Sequence, residues 1–132
     1  MKHTFLLLFL FLTSFLNAQE ALYDYDVEKR LEELGIQLEK PVVPPGLKIE
    51  LASQSGNLIY LSGNGPLKSD GTKIAGKVGA DLTVEEGYQA ARLTAINHLA
   101  VLKEKIGNLN RVVKIVKVLG FEIGRLRDLV RE

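Results

Sequence analysis

The fold of this chain is decided between residues 56 and 83, where the sequence reads GNLIYLSGNGP (56–66), SDG (69–71), KIAGKVGADL (73–82) and T (83). Leu58–Leu61 is an unbroken apolar run with a β-branched and an aromatic residue, and turn-forming residues flank it on both sides. That pattern is typical of a short buried strand. The pair Asp70–Gly71 is a strong turn signal. We therefore predict that a second short strand, through Ile74 and Val78, folds back on the first.

A long helix is predicted directly after this stretch. Thr83 and Glu86 have the spacing of a capping box, in which each side chain bonds the backbone of the other residue. Apolar residues then recur with helical spacing as far as Ile106, and Gly107 provides a stop. The sequence therefore predicts one helix from Thr83 to about Ile106.

A shorter helix is predicted upstream. Asp26 can cap a helix over Val27–Leu34, which has three apolar residues on one face, and Gly35 ends it. The segment that follows contains three prolines, at positions 41, 44 and 45, and is therefore predicted to be an extended connector.

Two further strands complete the predicted sheet. Apolar and charged residues alternate in Leu47–Ala52, which predicts a half-buried strand paired with Leu58–Leu61 across a turn at residues 53–57. The run Val112–Leu119 predicts a third long strand. Both faces of this run and of Leu58–Leu61 are largely apolar, whereas one helix can cover only one face of a sheet. We therefore expect the other face to be buried in an oligomer.

Several of these segments resemble the RidA/YjgF family, whose members are also called endoribonuclease L-PSP-like. The strand end Ser62-Gly63-Asn64-Gly65-Pro66 resembles the family signature Ser-Gly-Gln-x-Pro. The segments GKVGADLTVEEGY (76–88) and VKVLGF (116–121) are similar to one subgroup of the family. The resemblance extends from about Val27 to Phe121. It implies an α+β fold of chorismate-mutase type, with the long helix packed on one face of the sheet. It also implies a homotrimer of the full-length form, with the sheets facing inward.

The resemblance also implies a chemistry. The family hydrolyses reactive enamines and imines of the 2-aminoacrylate type to 2-keto acids and ammonia, without a metal or another cofactor. Ser62 and Gly63 match residues that line the family's substrate pocket, although the alternative is a strand end in which they serve only the turn. Asn64 stands where glutamine is usual. The tyrosine of the family's first strand has no clear match, because Lys48 and Ile49 fall nearby.

The resemblance stops after Phe121. Residues 122–132 match neither the family's carboxylate-binding arginine nor the glutamate implicated in activating water, so the catalytic residues are unknown. No motif surrounds Arg125, Arg127 or Arg131 that would identify one of them as that arginine. We expect a carboxy-terminally truncated domain with impaired activity, the alternative being a divergent short form. The predicted division is an amino-terminal helix and connector over 19–46, a partial domain over 47–121 and a tail over 122–132.

The first 18 residues resemble a secretory signal peptide. A short basic start precedes the apolar run Phe5–Leu12, and Ala18 offers a small residue at which cleavage could occur. The alternative is an uncleaved anchor, but the run is short for a membrane span. The chain is therefore expected to be exported, with no membrane association after cleavage.

Composition excludes several kinds of site. The net charge is +1 and there is no cysteine, which excludes disulfides, thiolate chemistry and zinc–thiolate sites. His98 is the only histidine after the leader and is interpreted as a boundary residue of the helix. The basic cluster consists of Lys103, Lys105, Arg111, Lys114 and Lys117. No aromatic residues are interleaved with it and no histidine pair is available, so we expect no nucleic-acid partner. Three function classes remain, which are an imine-hydrolysing enzyme, an exported non-catalytic binding or interaction module and, third, an RNA-cleaving protein.

Overall fold

The structure, a computed structural model, describes residues 24–41, 43, 46 and 48–122. In chain order they form helix α1 (Val27–Glu33), strands β1 (Ala52–Ser55) and β2 (Leu58–Leu61), helix α2 (Val84–Ile106) and a 3₁₀ helix (Leu109–Arg111). Helix α2 contacts both strands, which confirms the predicted α+β arrangement of a sheet with a long helix on one face. The predicted leader, and the predicted tail beyond residue 122, lie outside the described residues.

The two strands form an antiparallel hairpin. Ala52 pairs with Leu61, and Ser55 pairs with Leu58. Only Gly56 and Asn57 lie in the turn, where Gly56 has a φ of 57° and Asn57 has a negative φ, as in a type II′ turn. Because this turn needs only two residues, the strand pairing continues up to it. The predicted pairing partner of β2 is confirmed, but the placement of its strand at 47–52 and the five-residue turn are wrong.

The turn at Asp70–Gly71 forms as predicted. Its geometry is fixed by Asp70 Oδ1, which accepts hydrogen bonds from Thr72 N at 2.8 Å and from Thr72 Oγ1 at 2.6 Å. The chain around it contains only isolated bridges, Leu67 with Lys73 and Val78 with Leu82. The predicted strand through Ile74 and Val78, paired back on β2, is therefore wrong. The physical reason is that Pro66 lacks an N–H, and the glycines on either side of Asn64 favour a turn over a ladder.

Helix α2 confirms its predicted boundaries. Thr83 Oγ1 accepts a hydrogen bond from Glu86 N at 3.2 Å, and Glu86 Oε2 accepts one from Thr83 N at 2.8 Å. Gly107 ends the helix with a φ of 81°. In its first turn, Gly87 lies so close to the buried Val78 that a Cβ at Gly87 would be 2.7 Å from Val78 Cγ2. Close packing at this point joins α2 to the loop that precedes it.

Polar contacts join helix α1 to the carboxy-terminal end of α2 and to the 3₁₀ helix that follows it. Its first backbone N–H donates to Asn110 Oδ1 at 2.7 Å, while Asn110 Nδ2 donates to Asp26 Oδ1 at 2.8 Å. The carboxylate of Glu28 accepts a hydrogen bond from Leu109 N at 2.9 Å and forms an ion pair with Lys103. The helix starts as predicted and ends one residue earlier, at Glu33. These contacts fix α1 on the 3₁₀ helix, whose Leu109 is only 1% exposed.

The segment after the 3₁₀ helix differs from prediction. Residues 112–120 contain no strand, and no backbone hydrogen bond joins residues 113–122 to another described residue. The predicted strand Val112–Leu119 is therefore wrong for the described part of the chain. A strand is stabilised by pairing with a neighbour, and no described residue lies along this segment as a partner. Its apolar side chains are consequently open to solvent, with Val118 80% and Phe121 90% exposed.

Candidate functional site

The end of strand β2 places the predicted site residue Ser62 in a defined position. The Ser62 backbone N–H donates to the carbonyl oxygen of Leu51 at 2.9 Å. Its hydroxyl group donates to the carbonyl oxygen of Glu50. Both bonds tie Ser62 to the segment that leads into β1. Because the hydroxyl proton is used, the Ser62 oxygen has only acceptor capacity left for another molecule.

The second predicted residue, Gly63, follows at the surface. Its backbone N–H makes no hydrogen bond to any residue in the described ranges, and the residue is exposed. The next side chain, Asn64, bonds locally, since its Oδ1 accepts a hydrogen bond from Gly65 N at 2.9 Å. Among the described residues, the structure therefore presents an oxygen acceptor at Ser62 and an N–H donor without a partner at Gly63, on adjacent residues.

A residue that the sequence interpretation missed holds this loop from the other side. Asn97, on α2, donates from Nδ2 to the carbonyl oxygens of Gly65 at 3.1 Å and of Leu67 at 2.9 Å. The side chain is half-buried. Its signal in the sequence was a polar residue within the apolar stripe of a helix, which is unfavourable to bury unless it finds partners.

No charged side chain of the described residues forms a hydrogen bond with Ser62, Gly63 or Asn64. Within the described ranges, Ser62 and Asn64 form hydrogen bonds only with backbone groups, and Gly63 forms none. No group of three or more histidine, cysteine or acidic residues that could hold a metal ion occurs among the residues described. What the loop offers chemically is a neutral donor and a neutral acceptor, which suit a small ligand that carries an anionic oxygen and an N–H group.

Neither the histidine nor the basic cluster forms a hydrogen bond with Ser62 or Gly63 within the described ranges. His98 is half-buried, and its Nδ1 is buried without a hydrogen-bond partner in the described part of the chain. In the basic cluster, Lys103 is paired with Glu28 and Arg111 donates to the carbonyl oxygen of Ile106 at 2.7 Å. Two of the five predicted cluster members thus hold the α1 and 3₁₀ region together.

Depressed acidic pKa values occur at structural contacts. The N–H of Leu109 and then the ammonium group of Lys103, both donating to Glu28, hold the pKa of that carboxyl below its ordinary value. The Asn110 carboxamide, followed by the Lys29 backbone N–H, lowers the pKa of Asp26 in the same way. Neither carboxyl donates or accepts a hydrogen bond at Ser62 or Gly63. These carboxylates therefore fasten α1 and do not belong to the candidate site.

Comparisons with known proteins agree with the fold. The family described as "YjgF/chorismate mutase-like, putative endoribonuclease" matches residues 28–124. Protein TCP17 from Trypanosoma cruzi is 34% identical over 92 residues, which are 70% of this chain and 57% of that protein. Within the described residues, no helix has the length and apolar character needed to span a membrane.

Two solved structures are similar. One is the crystal structure of a "putative endoribonuclease" from Shewanella oneidensis MR-1, with a TM-score of 0.58 and 38% identity, covering 64% of this chain and 55% of the other. The second is the protein Atu1372 of unknown function from Agrobacterium tumefaciens, with a TM-score of 0.52 and 39% identity, covering 63% and 50%. This chain thus spans little more than half the length of these relatives. Their likeness confirms the predicted chorismate-mutase-like fold. The family match over residues 28–124 agrees with a resemblance that starts near Val27.

Proposed function

This chain belongs to the YjgF/chorismate mutase-like family, and we propose that its domain hydrolyses 2-aminoacrylate-type enamines and imines at a site built on Ser62 and Gly63. The products are a 2-keto acid and ammonia. No cofactor is required, because the bond that breaks is already activated in the imine. The proposal is made for this chain, which spans about half the length of its relatives.

The observation that carries the proposal is the adjacent donor and acceptor at the end of β2. An amino-acid-derived enamine has a carboxylate and a nitrogen on the same carbon. The free N–H of Gly63 can donate to the carboxylate, and the Ser62 oxygen can accept a hydrogen bond from the nitrogen. Ser62 is held before a ligand arrives by its two hydrogen bonds to the segment before β1, which lowers the entropy cost of binding.

The reaction needs one water molecule and proton transfers. The enamine takes a proton on its terminal carbon and becomes the imine. Water then adds to the imine carbon, forming a C–O bond, and the nitrogen takes up a proton. The C–N bond of this adduct breaks, ammonia leaves, and loss of the hydroxyl proton gives the keto group. Atoms balance as 2-aminoacrylate plus water giving pyruvate plus ammonia.

A non-catalytic binding role is the second candidate. It is favoured by the absence of any acid, base or cation in hydrogen-bond contact with Ser62 or Gly63 in the part of the chain that the structure describes. A bound imine would then have no positioned group to move a proton. This candidate predicts binding of a 2-keto acid without faster hydrolysis of the enamine.

The two candidates are separated by one experiment. A serine dehydratase generates 2-aminoacrylate in the presence of the purified chain, and the release of pyruvate is measured with lactate dehydrogenase. Release faster than the spontaneous rate supports the enzyme. Pyruvate binding, measured by NMR titration, with unchanged release supports the binding module. Ser62→Ala should slow the enzymatic release, because the oxygen that accepts from the substrate nitrogen is lost, whereas pyruvate has no N–H and its binding depends on the Gly63 donor. Ser69→Ala, at an exposed serine outside the site, is the matched control.

We further propose that the domain acts as a homotrimer with the outer face of the hairpin at the interface. Leu58 and Tyr60 lie on the face opposite Ile59 and Leu61, and Tyr60 is 59% exposed. Burying this face against other copies would remove the apolar exposure. Tyr60→Lys should therefore shift the mass measured by light scattering toward the monomer, whereas Ser69→Lys, which adds the same charge at an exposed serine outside the hairpin, should not. Export is a separate proposal, and determining the first residue of the mature protein tests it.

A further inference from the structure

We propose that Asn97 is a positioning residue of the site, because its carboxamide fixes the loop that carries Ser62 and Gly63. The inference rests on the proposed function, since it assigns to Asn97 the task of holding that loop in its binding geometry. Asn97 itself is not placed in contact with the substrate. It acts through the carbonyl groups of Gly65 and Leu67.

Backbone groups outside the loop form hydrogen bonds with both of its ends, at Ser62 and at Pro66. Ser62 is bonded to the segment before β1, and Ile74 N donates to the carbonyl oxygen of Pro66 at 3.1 Å. Between these ties, Asn64 bonds only to the next residue. Within the described ranges, Asn97 forms the only hydrogen bonds between loop 63–67 and α2.

The chemistry of the clamp needs both hydrogens of one carboxamide. The two acceptors, Gly65 O and Leu67 O, lie two residues apart and take one N–H each from Asn97. Aspartate has the same shape but accepts only, so its charged form would face two carbonyl oxygens. Such surroundings raise the pKa of a carboxyl, because they disfavour the charged form. When protonated, the same side chain regains one O–H donor.

This difference provides a test by pH. Asn97→Asp is expected to weaken pyruvate binding about 10- to 100-fold at pH 8, since the Gly63 N–H, displaced with the loop, would lose its hydrogen bond to the pyruvate carboxylate. At pH 5, protonation restores one of the two donors, and part of the affinity should return. Asn97→Ala, which has no titrating group, should bind weakly at both pH values. The wild-type chain carries the same His98 and is therefore the reference at each pH.

Binding is measured by two-dimensional NMR titration of the full chain with pyruvate, and turnover by the coupled assay described above at pH 8. The Ser62 oxygen and the Gly63 N–H would bind the ground state and the transition state equally well. The weaker binding of Asn97→Asp should therefore raise KM and leave kcat within about twofold of the wild type. Asn57→Asp, in the exposed hairpin turn, makes the same chemical change away from the site and should match the wild type within twofold. Far-UV circular dichroism checks that each variant is folded.

The outcomes separate the inference from the function that it supports. Weak binding by Asn97→Asp at pH 8 with recovery at pH 5 supports the clamp. Wild-type binding together with unchanged affinity in both Asn97 variants overturns the clamp and leaves the proposed function standing. A wild-type chain that neither binds pyruvate nor accelerates its release overturns the proposed function. Unshifted Gly63 and Asn64 amide signals in both ligand-free variants would overturn the inference independently of any ligand.

Discussion

Replacing Gly87 by alanine should destabilise this protein, although the same change stabilises most helices. Gly87 lies in the first turn of α2, where its missing side chain leaves room for Val78. A Cβ built on Gly87 would be 2.7 Å from Val78 Cγ2, 3.5 Å from Cγ1 and 3.7 Å from Cβ. Contacts between carbon atoms are optimal at about 3.5–4.0 Å, so a displacement of roughly 1 Å is required.

The magnitude follows from two opposing effects. Overpacking of this kind costs about 1–3 kcal/mol, and Val78 cannot easily rotate away because a β-branched side chain is restricted at χ1 and this one is only 7% exposed. Alanine in place of glycine favours the helix by about 1 kcal/mol. We therefore expect Gly87→Ala to lower the free energy of unfolding by about 1 kcal/mol, with an upper value near 2 kcal/mol.

The expected effect of Gly87→Ala on the free energy of unfolding changes sign when Val78 is also replaced. In a Val78→Ala background both Cγ atoms are absent, and the nearest remaining atom of that side chain, its Cβ, lies 3.7 Å away at an ordinary contact distance. Only the helix preference then remains, so Gly87→Ala should stabilise that background by about 1 kcal/mol. The coupling between the two positions is thus about 2 kcal/mol, within the range for residues in contact.

The assay is urea unfolding followed by circular dichroism at low protein concentration, for the wild type, both single variants and the double variant. Gly120→Ala is the control, because a Cβ there meets no atom within 4 Å. An equal effect of Gly87→Ala in both backgrounds, of either sign, would refute the packing argument, since the effect would then not depend on Val78.

Three further outcomes are expected. Thr83→Ala should lower the free energy of unfolding by about 1 kcal/mol through loss of the helix cap, whereas Thr83→Ser keeps the hydroxyl and most of the stability in the same urea assay. Because the pKa of Glu28 is lower in the folded state than its ordinary value of 4.5, the charged carboxylate stabilises the fold above that pH, and this stability is lost as pH falls through the lowered pKa. Glu28→Gln should therefore make the urea midpoint less dependent on pH over that acid range. A pH profile equal to that of the wild type would contradict the assignment of the lowered pKa to the Leu109 N–H and Lys103. Replacing Ile115 and Val118 together by lysine should reduce concentration-dependent light scattering, because both are exposed apolar residues, and scattering equal to that of the wild type would exclude this segment as its source.

The elements that the sequence predicted well carry their own local signals. The capping box at Thr83, the stop at Gly107 and the cap at Asp26 each involve residues within a few positions of one another, and all three are confirmed. The turn at Asp70 is of the same kind. Local chemistry of this sort is visible in a single sequence because its partners lie in the same window.

What the sequence interpretation missed depends on distant partners. The start of β1 was misplaced because strand limits are set by the facing strand and the turn type, not by alternation alone. The contacts of Asn97 with Gly65 and of Asn110 with Asp26 join residues 32 and 84 positions apart. Nothing in either local sequence indicates such a partner. Ser62 and Gly63 were predicted by resemblance, and their role as pocket residues stays a prediction.

The buried apolar residues are unevenly distributed along the described part of the chain. Of the six buried apolar residues that the described ranges contain, four lie in α1, the second half of α2 and the 3₁₀ helix. Val84 and Tyr88, near the start of α2, are largely exposed. The loop after β2 is thus held by hydrogen bonds more than by packing. Regions with few buried apolar contacts open most readily, so amide exchange should be faster in residues 63–67 than in the second half of α2. A ligand or a second copy of the chain that covers this loop would slow its exchange selectively, whereas equal slowing throughout the chain would indicate general stabilisation instead.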